Sequence, residues 1–177
     1  MKKFLVLFLL SMVVSANAGL VIYVKLADGL WADYADSKLW VTPSTTIELG
    51  VMDLTGQTQP GSLALGLTAG PGSLDASGVV GLQGVTAMMQ DDAAAAKEYG
   101  VENPFVAMEI TNATSQGMLL RSVLFHCEGE GDVTVALVDD DGQIVDSQII
   151  HQTPEPMTLA LLGLGGLVVS MSRKRSA

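Results

Sequence analysis

Cysteine is almost missing from this 177-residue chain: Cys127 is the only one, so no internal disulfide can close. There are just two histidines, His126 and His151, and no zinc-spaced cluster, Gly-x-Ser-x-Gly elbow or phosphate loop accompanies them. No cofactor is expected. Positive charge is scarce in the middle. Residues 19–153 hold 18 Asp and Glu against four Lys and Arg, a formal −14 that exceeds the −10 of the whole chain. Such a field argues against nucleic acid or anionic lipid as a direct ligand. It favours solubility and leaves room for divalent cations at the surface, though a solvated acidic surface is the plain reading. Aromatics are few, at 5%, and three of them (Trp31, Tyr34 and Trp40) gather in one polar stretch.

What the chain does have is two unusual ends. Lys2 and Lys3 precede an eleven-residue apolar run, Phe4 to Val14, and Ala16-Asn17-Ala18 offers a small-x-small site for cutting before Gly19. That run is too short to cross roughly 30 Å of hydrocarbon at about 1.5 Å per residue, so a signal peptide is expected over 1–18, removed by signal peptidase. Met157 to Ser172 forms a second apolar run of 16 residues, followed at once by Arg173, Lys174 and Arg175. As a helix it would reach roughly 24 Å, enough to span with local thinning. The cations would stay in the cytoplasm, which places the middle of the chain outside.

Pro154-Glu155-Pro156, the apolar run and Arg173-Lys174-Arg175, in that order at the C-terminus, resemble the PEP-CTERM sorting signal of Gram-negative-type bacteria. The resemblance covers about residues 154–177. It implies recognition by an exosortase, a membrane transpeptidase that would process the chain near the Pro154–Pro156 tripeptide. It also implies a setting in the cell envelope or extracellular matrix, linked to exopolysaccharide and biofilm.

Between the ends, residues 19–153 are long enough for one domain with a real core. The pattern is β. Leu20, Ile22, Val24 and Leu26 alternate, as do Thr45, Ile47, Leu49 and Val51, then Leu63, Leu65 and Leu67, then Val106, Met108 and Ile110. Leu119 to Cys127 is apolar on both parities and predicts a central strand covered on both sides. Asp132–Val138 and Gln143–Ile150, joined through Asp139-Asp140-Asp141-Gly142, predict a hairpin. Thr86 to Tyr99 breaks the pattern: Ala93 to Glu98 are strong helix formers with Gly100 as a stop, so a short helix is expected, starting as late as Asp91 or Asp92. Asp28–Pro43, Thr55–Ser62 and Ala69–Gly84 read as loops or irregular edge. The expected fold is a mainly β, antiparallel, jelly-roll-like sandwich with one inserted helix.

The strand at 45–52, Ser62 to Leu67, and Leu119-Leu120-Arg121-Ser122-Val123-Leu124-Phe125 leading to Asp132–Val138 look like cohesin-type domains. This resemblance covers about 100 residues and implies a sandwich that binds protein or carbohydrate, with a dockerin-like protein or a polysaccharide as partner.

Few residues invite chemistry. His126 and Cys127 are neighbours, but on a strand they face opposite ways and cannot form a nucleophile–base pair. Cys127 in that setting reads as a buried, inert thiol. Asp139 and Asp141 are candidate ligands for a turn-bound Ca²⁺. An EF-hand is excluded, because its first and twelfth positions fall on Leu137 and Gln148. Trp31, Tyr34 and Trp40, with Asp33 and Asp36 nearby, could stack on sugar rings or could cap the core. No enzyme is expected. The first reading is an envelope or matrix protein with a structural or adhesive role; the alternative is a cohesin-like binding module.

Overall fold

The computed structural model describes residues 19–25, 29–34, 39–42 and 44–153. Ala16 and Ala18, Pro154-Glu155-Pro156, the apolar run 157–172 and Arg173-Lys174-Arg175 lie outside the described residues, as do Leu26 and Asp36. No helix among the described residues is long and apolar enough to cross a membrane.

Two mixed-length sheets face each other. The chain order is β1 (Leu20–Lys25), β2 (Trp31–Ala32), β3 (Leu39–Val41), β4 (Thr46–Asp53), β5 (Gly61–Ala69), β6 (Gly72–Asp75), β7 (Val80–Gly81), β8 (Val85–Gln90), α1 (Ala93–Tyr99), β9 (Phe105–Ile110), β10 (Gly117–Cys127), β11 (Gly131–Asp139) and β12 (Ile144–Gln152). The first sheet runs β2-β1-β4-β10-β6, with β7 also on β10, and the second runs β3-β12-β11-β5-β9-β8. Every pairing is antiparallel except β3 with β12, which is parallel. The expected sandwich is present, with that one departure.

The alternating strands form where one face can be buried. Leu20, Ile22 and Val24 of β1 pair with Asp53, Val51 and Leu49 of β4, and all six are buried. From the other sheet Leu63, Leu65, Val106, Met108, Val135 and Leu137 meet them in one core. The hairpin β11–β12 turns through Asp139–Gly142 as its sequence predicts.

The inserted helix is present with the later of its two expected starts, and one other expectation fails, each for a physical reason. Residues 86–90 belong to β8 rather than to a helix. Val85, Ala87 and Met89 face β9 partners Ile110, Met108 and Val106, and this pairing overrides the helix propensity of Ala, Met and Gln. The helix starts only after Asp92, whose Oδ1 accepts from Ala94 N (2.8 Å) and Ala95 N (3.2 Å), and it stops at Gly100 with φ +72°. Nor is β10 covered on both sides. Its register slips between Met118 and Leu120 and again between Leu120 and Val123, with Ser122 at φ +65°. The bulge turns Leu119 and Leu120 inward together, while Arg121, Leu124 and His126 stay exposed on the outer face. Residues 69–84, expected as loop, also hold the short strands β6 and β7, both bound to β10.

The outer face of the second sheet carries a small satellite core. Ala64, Ala136 and Val138 are buried under Ala96 of α1, together with Val101 and Phe105. Gly66 makes room for this cover, since a Cβ there would lie 2.7 Å from that of Val101.

The end of the sandwich where β1 begins is closed by a buried carboxylate. Asp53 accepts from Thr55 N and Oγ1 and from Gly56 N through Oδ1, and from Thr58 N and Thr114 Oγ1 through Oδ2. It ties the loop after β4 to the loop before β10.

Candidate functional site

At the opposite end, β1 stops at Lys25, β4 starts at Thr46, and the short β3 runs along the edge of the second sheet. Between them lies a cleft of about 550 Å³, lined by Lys25, Trp40, Thr42, Thr46, Glu48 and Leu124 among others. Lys25 and Glu48 are register partners on the outer face of the first sheet and form an ion pair at 2.8 Å. Glu48 also accepts from Ser122 N at 3.1 Å, so it fills the β10 bulge. Burial would raise the Glu48 carboxyl, but Lys25 and the Ser122 donors outweigh it and hold the group below its ordinary value. The lining carries a fixed charge pair flanked by threonine hydroxyls, and Thr46 Oγ1 bonds His126 Nδ1 at 3.0 Å.

Trp40 is the one large aromatic of the cleft, and it is 57% exposed. Its ring stacks on His151 with centroids 4.7 Å apart and an interplanar angle of 29°. His151 is held in turn by Asp132, Nδ1 to Oδ1 at 2.6 Å. The indole is thus propped in place while most of its surface meets water, an arrangement suited to stacking against a ligand.

The structure separates the three aromatics of the polar stretch. Trp31 sits on β2, in the first sheet. Lys25 Nζ stands 5.7 Å from its ring centroid, and a Cβ on Gly50 would lie 3.0 Å from its Cζ3. Tyr34 packs, partly buried, against the main core. Only Trp40 lines the cleft.

No protein-family model matches the chain, and no curated protein matches its sequence. Among solved structures it is similar to a non-cellulosomal cohesin from the hyperthermophilic archaeon Archaeoglobus fulgidus, at 13% identity and a TM-score of 0.41, over 70% of this chain and 91% of that one. It is also similar to the sixth cohesin of Acetivibrio cellulolyticus scaffoldin B, solved in complex with a Cel5 dockerin mutant, at 11% identity and a TM-score of 0.38, over 77% and 96%. A third is the C-terminal domain of the Streptococcus agalactiae AgI/II polypeptide BspA, at 10% and 0.42, where 76% of this chain spans half (50%) of that one. Two of the three are cohesins. The chemistry of the cleft has to be read from its own side chains.

His126 and Cys127 do face opposite ways: His126 is exposed and Cys127 is 1% exposed. Burial pushes the Cys127 thiol up to about 11, which leaves almost no thiolate at neutral pH. Asp139 spends its carboxylate on the turn, where Oδ1 accepts from Asp141 N at 3.1 Å and Gln143 N at 2.8 Å. No group of three or more His, Cys, Asp or Glu that could hold a metal ion occurs among the described residues. Lys25, Thr46 and Glu48 escaped the sequence reading. Their signal was outward parity on two strands, and it becomes a site only once the β1–β4 register is known.

Proposed function

We propose that this chain is an exported, non-catalytic protein of the cell envelope or extracellular matrix whose sandwich adheres to polysaccharide through the cleft at Trp40. The observation that carries the reading is an exposed, propped indole beside a charge pair and threonine hydroxyls. An aromatic face takes the apolar face of a sugar ring, and the hydroxyls and charges take its polar rim. The two terminal segments of the sequence support export and sorting, with the exosortase acting near Pro154–Pro156 and membrane attachment through 157–172.

Retention of the full-length protein on columns of envelope exopolysaccharide tests the adhesive half. Trp40→Ala is expected to weaken saturable retention by about tenfold, or about 1.4 kcal/mol, while Trp31→Ala leaves it within a factor of about two. Equal retention of wild type and Trp40→Ala would overturn the assignment of the cleft. Specific retention of a secreted protein, with none of polysaccharide, would favour a dockerin-like partner instead. Mass spectrometry of the protein from its native host tests the sorting half. The mature chain is expected to begin at Gly19 and to give no peptide beyond about Pro156. A mature product that keeps the Arg173–Arg175 peptide would leave an unprocessed single-pass anchor.

A further inference from the structure

The charge in the cleft at Trp40 is already paired. Among the described residues that line it, Lys25 is the only cation and Glu48 the only anion. Lys25 Nζ lies 2.8 Å from Glu48 Oε2 and 5.7 Å from the centroid of the Trp31 ring, so two neighbours hold it. Glu48 is the more buried of the pair, and its other oxygen accepts from Ser122 N. Drawing Lys25 away to an anionic ligand would leave that carboxylate without its counter-ion and set a second negative charge beside it.

The rest of the lining is uncharged. Thr42 and Thr46 are exposed, and Thr42 Oγ1 bonds Thr45 Oγ1 at 2.9 Å. A hydroxyl can donate once and accept twice, so this group keeps capacity for the hydroxyls of a sugar. Trp40 and Leu124 supply exposed apolar surface beside it. The wider field is acidic, since residues 19–153 carry a formal −14. A polyanion is therefore repelled on approach and meets no unpaired cation among the described lining residues.

We infer, resting on the polysaccharide reading above, that the cleft selects uncharged sugar units and rejects those bearing uronate, sulfate or phosphate. The Lys25–Glu48 pair is the selectivity device. It presents polar atoms to the rim of a sugar ring with no net charge.

The test uses the full-length protein and the exopolysaccharide of its host, split on an anion exchanger into an uncharged and an acidic fraction. Wild type is expected to be retained on the uncharged fraction, with less than about a twofold change between roughly 20 and 500 mM salt. Retention on the acidic fraction is expected to be at least about tenfold weaker. Glu48→Gln keeps an acceptor for Ser122 and frees the Lys25 charge. It should gain a retention on the acidic fraction that high salt abolishes. Trp40-dependent retention of wild type on the acidic fraction, as strong as on the uncharged one, would overturn the selectivity and leave the polysaccharide reading standing. Retention on neither fraction would overturn that reading and the selectivity with it. If Glu48→Gln does not fold, the two fractions compared on wild type decide alone. If it folds and still ignores the acidic fraction, Lys25 is not the withheld charge and the device is overturned.

Discussion

Asp53→Ala is expected to cost the sandwich about 3–5 kcal/mol, out of the roughly 5–15 kcal/mol that holds a domain of this kind together. Asp53 is fully buried. Its nearest donors are Gly56 N at 2.7 Å and Thr55 N at 2.9 Å on Oδ1, and Thr114 Oγ1 at 2.5 Å on Oδ2. In the alanine variant Thr55 and Gly56 can turn to water. Thr58 and Thr114 are 1% and 7% exposed and cannot. Two loops then lose their common acceptor, and β4 loses the residue that lies opposite both Leu20 and Gly117.

The same carboxylate sets an acid limit. Burial would raise it, but the hydrogen bonds from Thr114, Gly56, Thr58 and Thr55 outweigh burial and hold it far below its ordinary value of 3.8. Because the folded value is depressed, the stabilisation is complete above the unfolded value and drains away as pH falls below it. Denaturant melts of wild type and Asp53→Asn should therefore differ by a constant amount from pH 7 to about pH 5 and converge below about pH 4. A difference that grew as the pH fell would contradict this account.

Phe125→Ala is expected to lower stability by about 3–5 kcal/mol, read from the denaturant midpoint at an unchanged slope. Phe125 has no solvent exposure and stands on β10 between Ile47 of β4 and Leu74 of β6. Its ring lies over Gly72, where a Cβ would approach Cε2 to 2.5 Å. The close approach supplies a second measurement. Gly72→Ala should be poorly tolerated alone and better tolerated beside Phe125→Leu, because the smaller side chain vacates the space the new methyl needs. A pair of changes whose effects simply add would show that the ring and the glycine are not in contact.

Much of the fold was legible because burial on one face forces a period of two. Leu20, Ile22 and Val24, or Leu63, Leu65 and Leu67, admit little else. The misreadings came where local preference and tertiary pairing disagree. Ala87, Met88 and Met89 favour a helix in isolation, yet β9 recruits them as a strand. Leu119 and Leu120 look like two-sided burial, yet a bulge brings both to one side.

The polar interior was harder to see, although it left a trace. Continuing the parity of Ile47, Leu49 and Val51 lands on Asp53, and continuing back from Ile150 lands on Gln148 and Asp146. A polar residue on a buried parity is a flag that periodicity can raise but cannot interpret, because its partners sit far away in sequence. Thr114 reads in the sequence only as the third residue of an Asn112-Ala113-Thr114 sequon. In the fold its hydroxyl is spent on Asp53, 61 positions distant. The Lys25–Glu48 pair is hidden for the same reason.

The last described residue donates its amide to Val41 O at 2.9 Å, next to Trp40 on the short parallel strand. A pull on the chain past Thr153 would thus reach Val41 through the amide and the hydroxyl of Thr153, which both donate to its carbonyl. Were the tail held and a load carried at the indole, as proposed, tension would pass along two adjacent strands at one corner of the molecule. The packed interior would remain largely outside the line of force.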